Sequence, residues 1–211
     1  MTTTTELTDD GLLRRMVAGD EEAFTLLYRR KQPAIFRFAL HMSGNATVAE
    51  DVTQEVFMML IRDAKRFDPA RGTLGGFLFG VARNYLRKRW EQDRRSVPFA
   101  DDPERPGNTP VMNGARPSNN GNHNGSFASP HDDFVSVETV SRVRRAISTL
   151  PESYREVVVL CELEDLSYEE VAAALDCPIG TVRSRLHRGR AMLLEKLREA
   201  PPARSASAVS K

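Results

Sequence analysis

The sequence has little cysteine and no long hydrophobic run, and each absence excludes a class of protein. Its 211 residues contain two cysteines, Cys161 and Cys177, which are too few for a disulfide framework or a zinc module, so we expect both to be reduced core residues. No apolar stretch approaches the roughly 20 residues that a membrane-spanning helix needs. The stretch Met1 to Asp10 lacks the basic-then-apolar pattern of a secretion signal. We therefore predict a cytoplasmic protein without membrane insertion.

Residues with the spacing of an active site are also missing. The four histidines, His41, His123, His131 and His187, are scattered along the chain. None has a cysteine or carboxylate at metal-ligand spacing, and no glycine-rich phosphate-binding loop is present. We predict no enzyme activity, no catalytic residue, no metal and no cofactor.

Neither sign of charge dominates the chain. Lys and Arg number 30 against 29 Asp and Glu, a net charge of +1. The two signs are nevertheless segregated into separate stretches. A polyanionic partner is therefore compatible with the composition.

The composition changes sharply in the middle of the chain, which holds half of the 12 prolines and six of the eight asparagines. This segment cannot bury enough apolar surface to offset its ordering entropy. On either side of it, apolar residues recur at helical spacing. We predict an all-α fold of two small helical domains, residues 8–95 and 134–200, joined by a disordered linker at 96–133 and followed by a disordered tail at 201–211.

An acidic ridge is predicted on a helix near residue 50. Val52, Val56 and Met59 lie on one face of this helix. The opposite face carries Glu50, Asp51, Gln54 and Glu55. Spacing alone favours a solvated face that also complements the helix dipole.

A basic segment follows. A helix starts apolar at Phe77 and carries six Arg or Lys residues between Arg83 and Arg95. Basic side chains near a helix C-terminus stabilise it by about 0.3–1 kcal/mol each, but that effect does not require such a density. The pattern favours contact with a nucleic-acid backbone.

The clearest pattern is a helix-turn-helix after residue 166. Ser167 and Glu170 form a capping box, Asp176-Cys177 makes the turn, and Pro178 suits the start of the next helix. Ile179, Val182, Leu186 and Leu193 are predicted to point inward. The outward residues, with donors for base edges and phosphates, are Thr181, Arg183, Ser184, Arg185, His187 and Arg188. The alternative interpretation is a helical hairpin with a basic exterior.

Both helical segments resemble the extracytoplasmic-function (ECF) sigma factors, a bacterial family with two conserved sigma domains. The residues from Ala49 to Phe57 resemble the helix of that family that binds core RNA polymerase. The resemblance implies that Asp51, Gln54 and Glu55 contact polymerase, with Phe57 as a packing or contact residue. It assigns domain 8–95 to sigma domain 2.

The stretch from Phe77 to Asn84 resembles the helix behind the loop that recognises and melts the −10 promoter element. Asn84 matches a base-contacting position. The resemblance implies that −10 DNA is bound by Arg71, Phe77, Arg83, Asn84, Arg87 and Lys88.

The helix-turn-helix resembles sigma domain 4, which reads the −35 element. This implies that Arg183, Ser184 and His187 lie nearest the bases and that Arg185 and Arg188 lie mainly on phosphates. The implied function is to bind core RNA polymerase and direct promoter-specific transcription initiation without covalent chemistry. Family members are often held inactive by an anti-sigma factor, which is a further possible partner.

Three features depart from the family pattern. Phe77 stands where the family usually has Trp, which keeps a stacking face but loses the indole donor, so weaker strand opening or a different base preference is expected. Gly75-Gly76, just before Phe77, is more flexible than the sequence usual in the family. The Asn- and Gly-rich linker is less acidic than the usual connector.

Two other interpretations remain at this point. A conventional repressor or activator would also contain a helix-turn-helix, but such proteins usually dimerise, and no obvious dimer helix is present. A helical scaffold whose basic faces bind acidic protein predicts no salt-sensitive DNA binding.

Overall fold

The computed structural model describes residues 8–96 and 130–199, and within these ranges it contains helices and no strand. The N-terminal half has four α-helices and the C-terminal half another four, with two short 3-10 turns, Ala64–Arg66 and Pro69–Arg71, before the fourth helix. The helices are α1 (Asp9–Val17), α2 (Glu21–Ser43), α3 (Ala46–Arg62), α4 (Leu74–Ser96), α5 (Pro130–Ser148), α6 (Glu152–Val158), α7 (Tyr168–Leu175) and α8 (Ile179–Glu199). None of the helices in the described ranges combines the length and apolar character that a bilayer crossing requires.

Side-chain caps fix several of the helix starts. The Asp20 carboxylate accepts a hydrogen bond from the Ala23 amide at 3.0 Å, as its position in the sequence predicts. Before α3 the cap is Asn45, because its side chain accepts from the amides of Thr47 and Val48. Each such cap contributes about 1 kcal/mol to helix stability.

Helix α2 continues through Pro33, although proline is disfavoured in the interior of a helix. Proline lacks an amide hydrogen and frees the carbonyl of the residue four positions earlier, here Arg29. Pro33 and Arg29 are both exposed, so water can hydrate that carbonyl. Buried residues on both sides, Leu27 and Ile35, hold the helix in one piece.

The N-terminal half is a bundle with α2 at its centre, packed against α1, α3 and α4. Its core is built from the apolar face of each helix. Fully buried members include Leu12, Leu27, Phe38, Leu60 and Leu78. Burial of each such side chain contributes about 1.5–3 kcal/mol. The faces of α3 and α4 that point away from this core are thereby fixed.

The C-terminal half contains the expected helix-turn-helix, formed by α7 and α8. Asp176 makes the turn in a left-handed conformation, with φ at 50°. Val171, Val182 and Leu186 are buried between the helices. Helix α8 also packs against α6, where Gly189 allows a close crossing. The second helix is thus held with one face toward solvent.

The two halves pack directly against each other. Helix α4 lies on α7, and α2 contacts α5 and α6. The buried apolar residues of the two halves form one continuous cluster. The structure is therefore compact, an arrangement that the sequence did not predict.

The predicted domain limits differ from the helix ends. Ser96 belongs to α4 and residues 130–133 belong to α5, because the helical hydrogen bonding extends beyond the apolar pattern at both ends of the expected linker. The rest of the linker and the predicted tail at 201–211 lie outside the described residues.

Candidate nucleic-acid and protein interfaces

The acidic ridge of α3 is exposed. Val52, Val56 and Leu60 point into the core, and helical geometry then turns the ridge outward. Glu50, Asp51, Gln54 and Glu55 are all exposed. Their side chains are accessible to a protein partner.

Two members of this ridge form surface ion pairs. Asp51 accepts from Arg89 of α4 at 2.9 Å, and Glu55 lies 3.6 Å from Arg62. Exposed pairs of this kind contribute about 0–1 kcal/mol. A binding partner can therefore replace them at little cost.

Phe57 is a packing residue and not a surface contact. Its side chain is 3% exposed, and its ring centroid lies 4.7 Å from that of Tyr28. Of the two roles expected for Phe57, the structure supports packing. Direct contact with a partner is excluded in this arrangement because the ring faces the core.

Two apolar residues that the sequence patterns did not single out extend the ridge. Met58 and Ile61 are 42% and 53% exposed. They lie four and seven positions after Gln54, on the same face of α3. The sequence could have revealed them, because each is an apolar residue at a position that helical periodicity turns toward solvent.

The outer face of α4 carries several of the residues expected to bind DNA. Asn84, Arg87 and Lys88 are exposed. Arg71 is exposed in the turn before the helix, and Phe77 is half-buried with its ring centroid 5.6 Å from that of Phe67. The structure thus gives solvent access to most of this predicted set.

Arg83 differs from the rest of that set, because its side chain faces the C-terminal half. Its Nε donates to a carboxylate oxygen of Glu156 at 2.7 Å, and its Nη1 donates to the Leu175 carbonyl at 3.2 Å. The Arg83 and Glu156 side chains are only 18% and 3% exposed. In this arrangement Arg83 is not available to DNA.

Burial dominates the electrostatics of Glu156. It raises the pKa of this carboxyl above its usual range, although the hydrogen bond and the charge of Arg83 act in the opposite direction. A buried carboxylate without a cationic partner would be strongly disfavoured. Arg83 and Glu156 therefore depend on each other.

The exposed face of α8 presents the predicted −35 residues. Arg183, Ser184, His187 and Arg188 are exposed, whereas Thr181 and Arg185 are half-buried. These last two are less accessible because α8 turns them toward neighbouring helices.

Two contacts orient the first turns of α8. The guanidinium of Arg183 lies 6.0 Å from the centroid of the Tyr168 ring, a cation–π contact with the first residue of α7. The Ser184 hydroxyl donates to the Thr181 carbonyl at 3.0 Å.

A cleft of about 450 Å³ separates α4 from α6 and α8. It brings together residues of the two predicted DNA-reading surfaces, Arg83 and Arg87 on one side and Arg185 on the other. Glu152 and Glu156 of α6 provide negative charge to the same cleft. The sequence patterns did not single out Trp90 or Glu156. Trp90 lies seven positions after Arg83, on the same helix face.

The described residues contain no group of three His, Cys, Asp or Glu side chains that could hold a metal ion. Cys161 and Cys177 are free thiols and half-buried. Burial raises the pKa of Cys161 to about 11, with a smaller contribution from Glu162, so its thiol is protonated at neutral pH.

Two family models match the chain. Sigma-70 region 2 matches residues 27–96, which include α3 and α4. Sigma-70, region 4 matches residues 141–193, which include α7 and most of α8. The exposed ridge and the two basic helix faces lie within these matches.

Several curated relatives are similar over most of the chain. The ECF RNA polymerase sigma-E factor of Escherichia coli K12 is 35% identical over 194 residues, which cover 91% of this chain and 95% of that protein. The corresponding factor of Haemophilus influenzae is 32% identical, covering 91% and 96%. The ECF RNA polymerase sigma factor SigE of Mycolicibacterium smegmatis is 33% identical over 81% of this chain, which spans 60% of that longer protein.

Two solved structures share the fold. The sigma factor RpoE from Bartonella quintana, in complex with the anti-sigma factor NepR, has a TM-score of 0.62 at 24% identity and covers 85% of this chain and 99% of its own. CnrH, in complex with the cytosolic domain of CnrY, has a TM-score of 0.63 at 22% identity and covers 92% and 99%.

Proposed function

The chain belongs to the ECF RNA polymerase sigma factors, and from that premise we propose which of its surfaces bind core polymerase and which read the promoter. As a member of this family it directs promoter-specific transcription initiation. The observation that carries the residue-level proposal is the presence, on one chain, of an exposed acidic ridge within sigma region 2 and an exposed basic helix within sigma region 4.

The polymerase-binding surface is the exposed face of α3. Asp51, Gln54 and Glu55 supply charge and hydrogen-bond acceptors, and Met58 and Ile61 supply apolar area beside them. A polar patch with exposed apolar side chains is suited to a stable protein interface. Phe57 supports this face from beneath by packing against Tyr28.

The −10 element is held by the N-terminal domain, residues 8–95. Asn84 is suited to a base edge, while Arg71, Arg87 and Lys88 are suited to the backbone of the melted strand. Phe77 offers a ring face for stacking but is half-buried against Phe67. Arg83 is the sixth member of the set, and it faces Glu156 in this structure.

The −35 element is read by the C-terminal domain, residues 134–200. The exposed Arg183, Ser184 and His187 face the base edges in the major groove. Arg185 and Arg188 contact phosphates, and Thr181 lies at the edge of this surface. Residues 97–129 connect the two domains.

The chain acts by binding and not by covalent chemistry, and it works in the cytoplasm, where polymerase and promoter are found. An anti-sigma factor is a further proposed partner. Support comes from RpoE and CnrH, which share the fold and were solved in complex with an anti-sigma factor and with the cytosolic domain of CnrY.

Run-off transcription with core RNA polymerase on a promoter library tests the proposal. With the chain added, transcripts should start from a subset of templates that share upstream and −10 sequences, and core alone should not select that subset. Absence of both core binding in gel filtration and selected transcripts would contradict the proposal.

A further inference from the structure

A tyrosine ring of α7 lies beside the guanidinium on α8 that is proposed to read the −35 bases. The Cζ atom of Arg183 lies over the Tyr168 ring, 6.0 Å from its centroid. Tyr168 is the first residue of α7, and Arg183 lies in the second turn of α8. At a separation of about 6 Å the ring quadrupole attracts a cation. The first helix of the helix-turn-helix thus contacts a side chain of the second.

The Tyr168 ring is the restraint on an otherwise free side chain. In residues 8–96 and 130–199, the Arg183 side chain makes no hydrogen bond and no ion pair. The first turn of α8 contains no acidic residue that could attract it. An unrestrained arginine populates many rotamers, and fixing one of them on DNA costs conformational entropy. The ring therefore limits the positions of the guanidinium before DNA is bound.

The chemical nature of this partner matters for base recognition. Arg190, also on α8, donates through Nε and Nη2 to Glu162 at 3.0 and 2.5 Å, so two of its donors are already used. An aromatic ring attracts the charge of a guanidinium without accepting such N–H···O hydrogen bonds. The donors of Arg183 thus remain available for the O6 and N7 acceptors of a guanine, the base that arginine contacts most often in the major groove.

Tyr168 is itself held in place by the start of α7. The Ser167 amide donates to the Glu170 carboxylate at 2.9 Å, and the Glu170 amide donates to the Ser167 hydroxyl at 3.2 Å. This capping box fixes the backbone on both sides of Tyr168. The ring is half-buried and packs against the hydrophobic core. Its position is therefore set by the fold and does not depend on Arg183.

The orientation of α7 relative to α8 is fixed as well. The Cys177 amide donates to the Ala172 carbonyl at 3.0 Å across the turn. Val171 and Val182 are fully buried between the two helices. Since both helices are held, the ring and the guanidinium meet at a defined place on the DNA-facing side.

We propose that Tyr168 is a positioning residue for −35 recognition, whose ring holds the Arg183 guanidinium in place with its hydrogen-bond donors free. The inference rests on the proposed function, which places Arg183 at the base edges. A guanidinium held in one position fits one arrangement of acceptors, whereas a mobile one adapts to several. Tyr168 thereby sharpens the base preference of Arg183 and reduces the ordering cost of binding.

Selection from a randomised −35 library, with full-length chain and core polymerase, tests the proposal. Tyr168→Leu removes the ring, and Tyr168→Phe keeps it. At the position where Arg183→Ala changes base preference, Tyr168→Leu should reduce discrimination about two- to fivefold, as expected for loss of an exposed cation–π contact. Tyr168→Phe should retain most of the discrimination.

A double-mutant cycle shows whether Tyr168 acts through Arg183. In a chain that already carries Arg183→Ala, adding Tyr168→Leu should reduce discrimination at that position no further. Tyr154→Leu is the matched control for lost packing, because Tyr154 is also half-buried in the C-terminal half. It should lower the Tm in thermal melts but leave the −35 preference unchanged.

A second measurement does not depend on the folding of any variant. In NMR spectra of the free, unsubstituted chain, nuclear Overhauser effects should connect the side-chain δ protons of Arg183 with the ring protons of Tyr168. Their absence would overturn the proposal, because the ring would then not restrain the guanidinium.

The outcomes separate this proposal from the proposed function. If Arg183→Ala altered the −35 preference and Tyr168→Leu did not, the positioning role would be overturned and the proposed function would stand. An equal loss of discrimination at every −35 position, or a further loss in the Arg183→Ala background, would also overturn it. If the unsubstituted chain selected no transcripts, or if Arg183→Ala changed no preference, the proposed function would fail at this surface and the positioning role with it.

Discussion

Gly80 of α4 and Ala174 of α7 lie so close that a Cβ on the glycine would be 3.1 Å from the alanine carbonyl oxygen. Such a distance is tighter than ordinary van der Waals contact, so a side chain at this position requires the helices to move apart. The two helices belong to the two DNA-reading halves of the chain. The spacing between these halves therefore depends on a residue without a side chain.

We predict that Gly80→Ala loosens the compact arrangement and that Gly80→Leu opens it. In a helix, alanine is favoured over glycine by about 0.5–1 kcal/mol, but here the lost close contact offsets that gain. Gly180→Ala is the matched control, because Gly180 is also helical and has no atom within 4 Å of its ideal Cβ. It should raise the Tm by roughly 1–4 °C.

Small-angle X-ray scattering should show a larger radius of gyration for Gly80→Leu, and thermal melts should show no gain in Tm for Gly80→Ala. An equal rise in Tm for Gly80→Ala and Gly180→Ala, with an unchanged radius for Gly80→Leu, would show that the close crossing has no role in compaction.

The sequence predicted the surfaces that follow directly from helical periodicity. Val52 and Val56 set the inward face of α3, and that fixed the exposure of Asp51 on the other side. The capping box of Ser167 and Glu170 likewise set the start of α7. Such features are local, since each depends on residues within one or two turns.

The contact between the halves could not be predicted in the same way. The pattern of α4 shows which side enters the first core, but it does not show what covers the side that carries Arg83. The one local indication of this contact in the sequence was the spacing of Gly76 and Gly80. The same spacing is equally typical of a flexible helix start. Pro33 is a local helix breaker that nevertheless lies inside α2, because burial of its neighbours outweighs its cost.

The proposed polymerase-binding role of α3 leads to a charge-reversal prediction. Asp51→Arg together with Glu55→Arg should reduce core polymerase binding by at least tenfold while leaving the fold intact, because both side chains are exposed and their ion pairs are weak. Co-purification with core polymerase and a thermal melt measure the two effects.

The control for charge alone is Glu22→Arg with Glu195→Arg, two exposed acids on other helices. Retained core binding in the α3 variant, or equal loss in this control, would remove α3 as the docking face.

Protonation of His41 should weaken the compact fold. Burial lowers the pKa of His41, and the positive charges of Arg144, Arg37 and Arg155 lower it further. The unfolded chain therefore binds this proton more readily than the folded chain. The stability associated with neutral His41 is present above about pH 6.5 and is lost as the pH falls below it toward the folded-state pKa.

Thermal melts at pH 7.5 and 5.5 test whether the fold loses stability as His41 is protonated. The fall in Tm between the two pH values should be smaller for His41→Gln than for the unsubstituted chain, because Gln does not titrate. His187→Gln, at an exposed position on α8, should keep the full fall. Identical pH dependence in all three chains would exclude His41 as a contributor.

Substitutions on α8 should distinguish the proposed base contacts from the proposed phosphate contacts. Arg183→Ala should change sequence preference within the −35 element, since one good base contact contributes about 1–3 kcal/mol to discrimination. Arg188→Ala, one turn further along α8, should weaken all promoters alike and reduce the salt slope by about one. Selection from a randomised −35 library at two salt concentrations measures both effects, and exchanged behaviour of the two variants would reverse the assignment.

Asn84 on the outer face of α4 should affect a different step. Its side chain is exposed, one position from the covered Arg83, so it is accessible to the melted strand once the chain is on polymerase. Asn84→Ala should change preference within the −10 element only and slow strand opening, by about fivefold for the loss of a contact worth about 1 kcal/mol. Transcription from a template with a pre-melted −10 region should then recover.

Arg183→Ala is the matched comparison, because its defect lies in duplex anchoring and should persist on the pre-melted template. A shift in −35 preference for Asn84→Ala, or no recovery on the pre-melted template, would contradict the assignment of α4 to the opened strand.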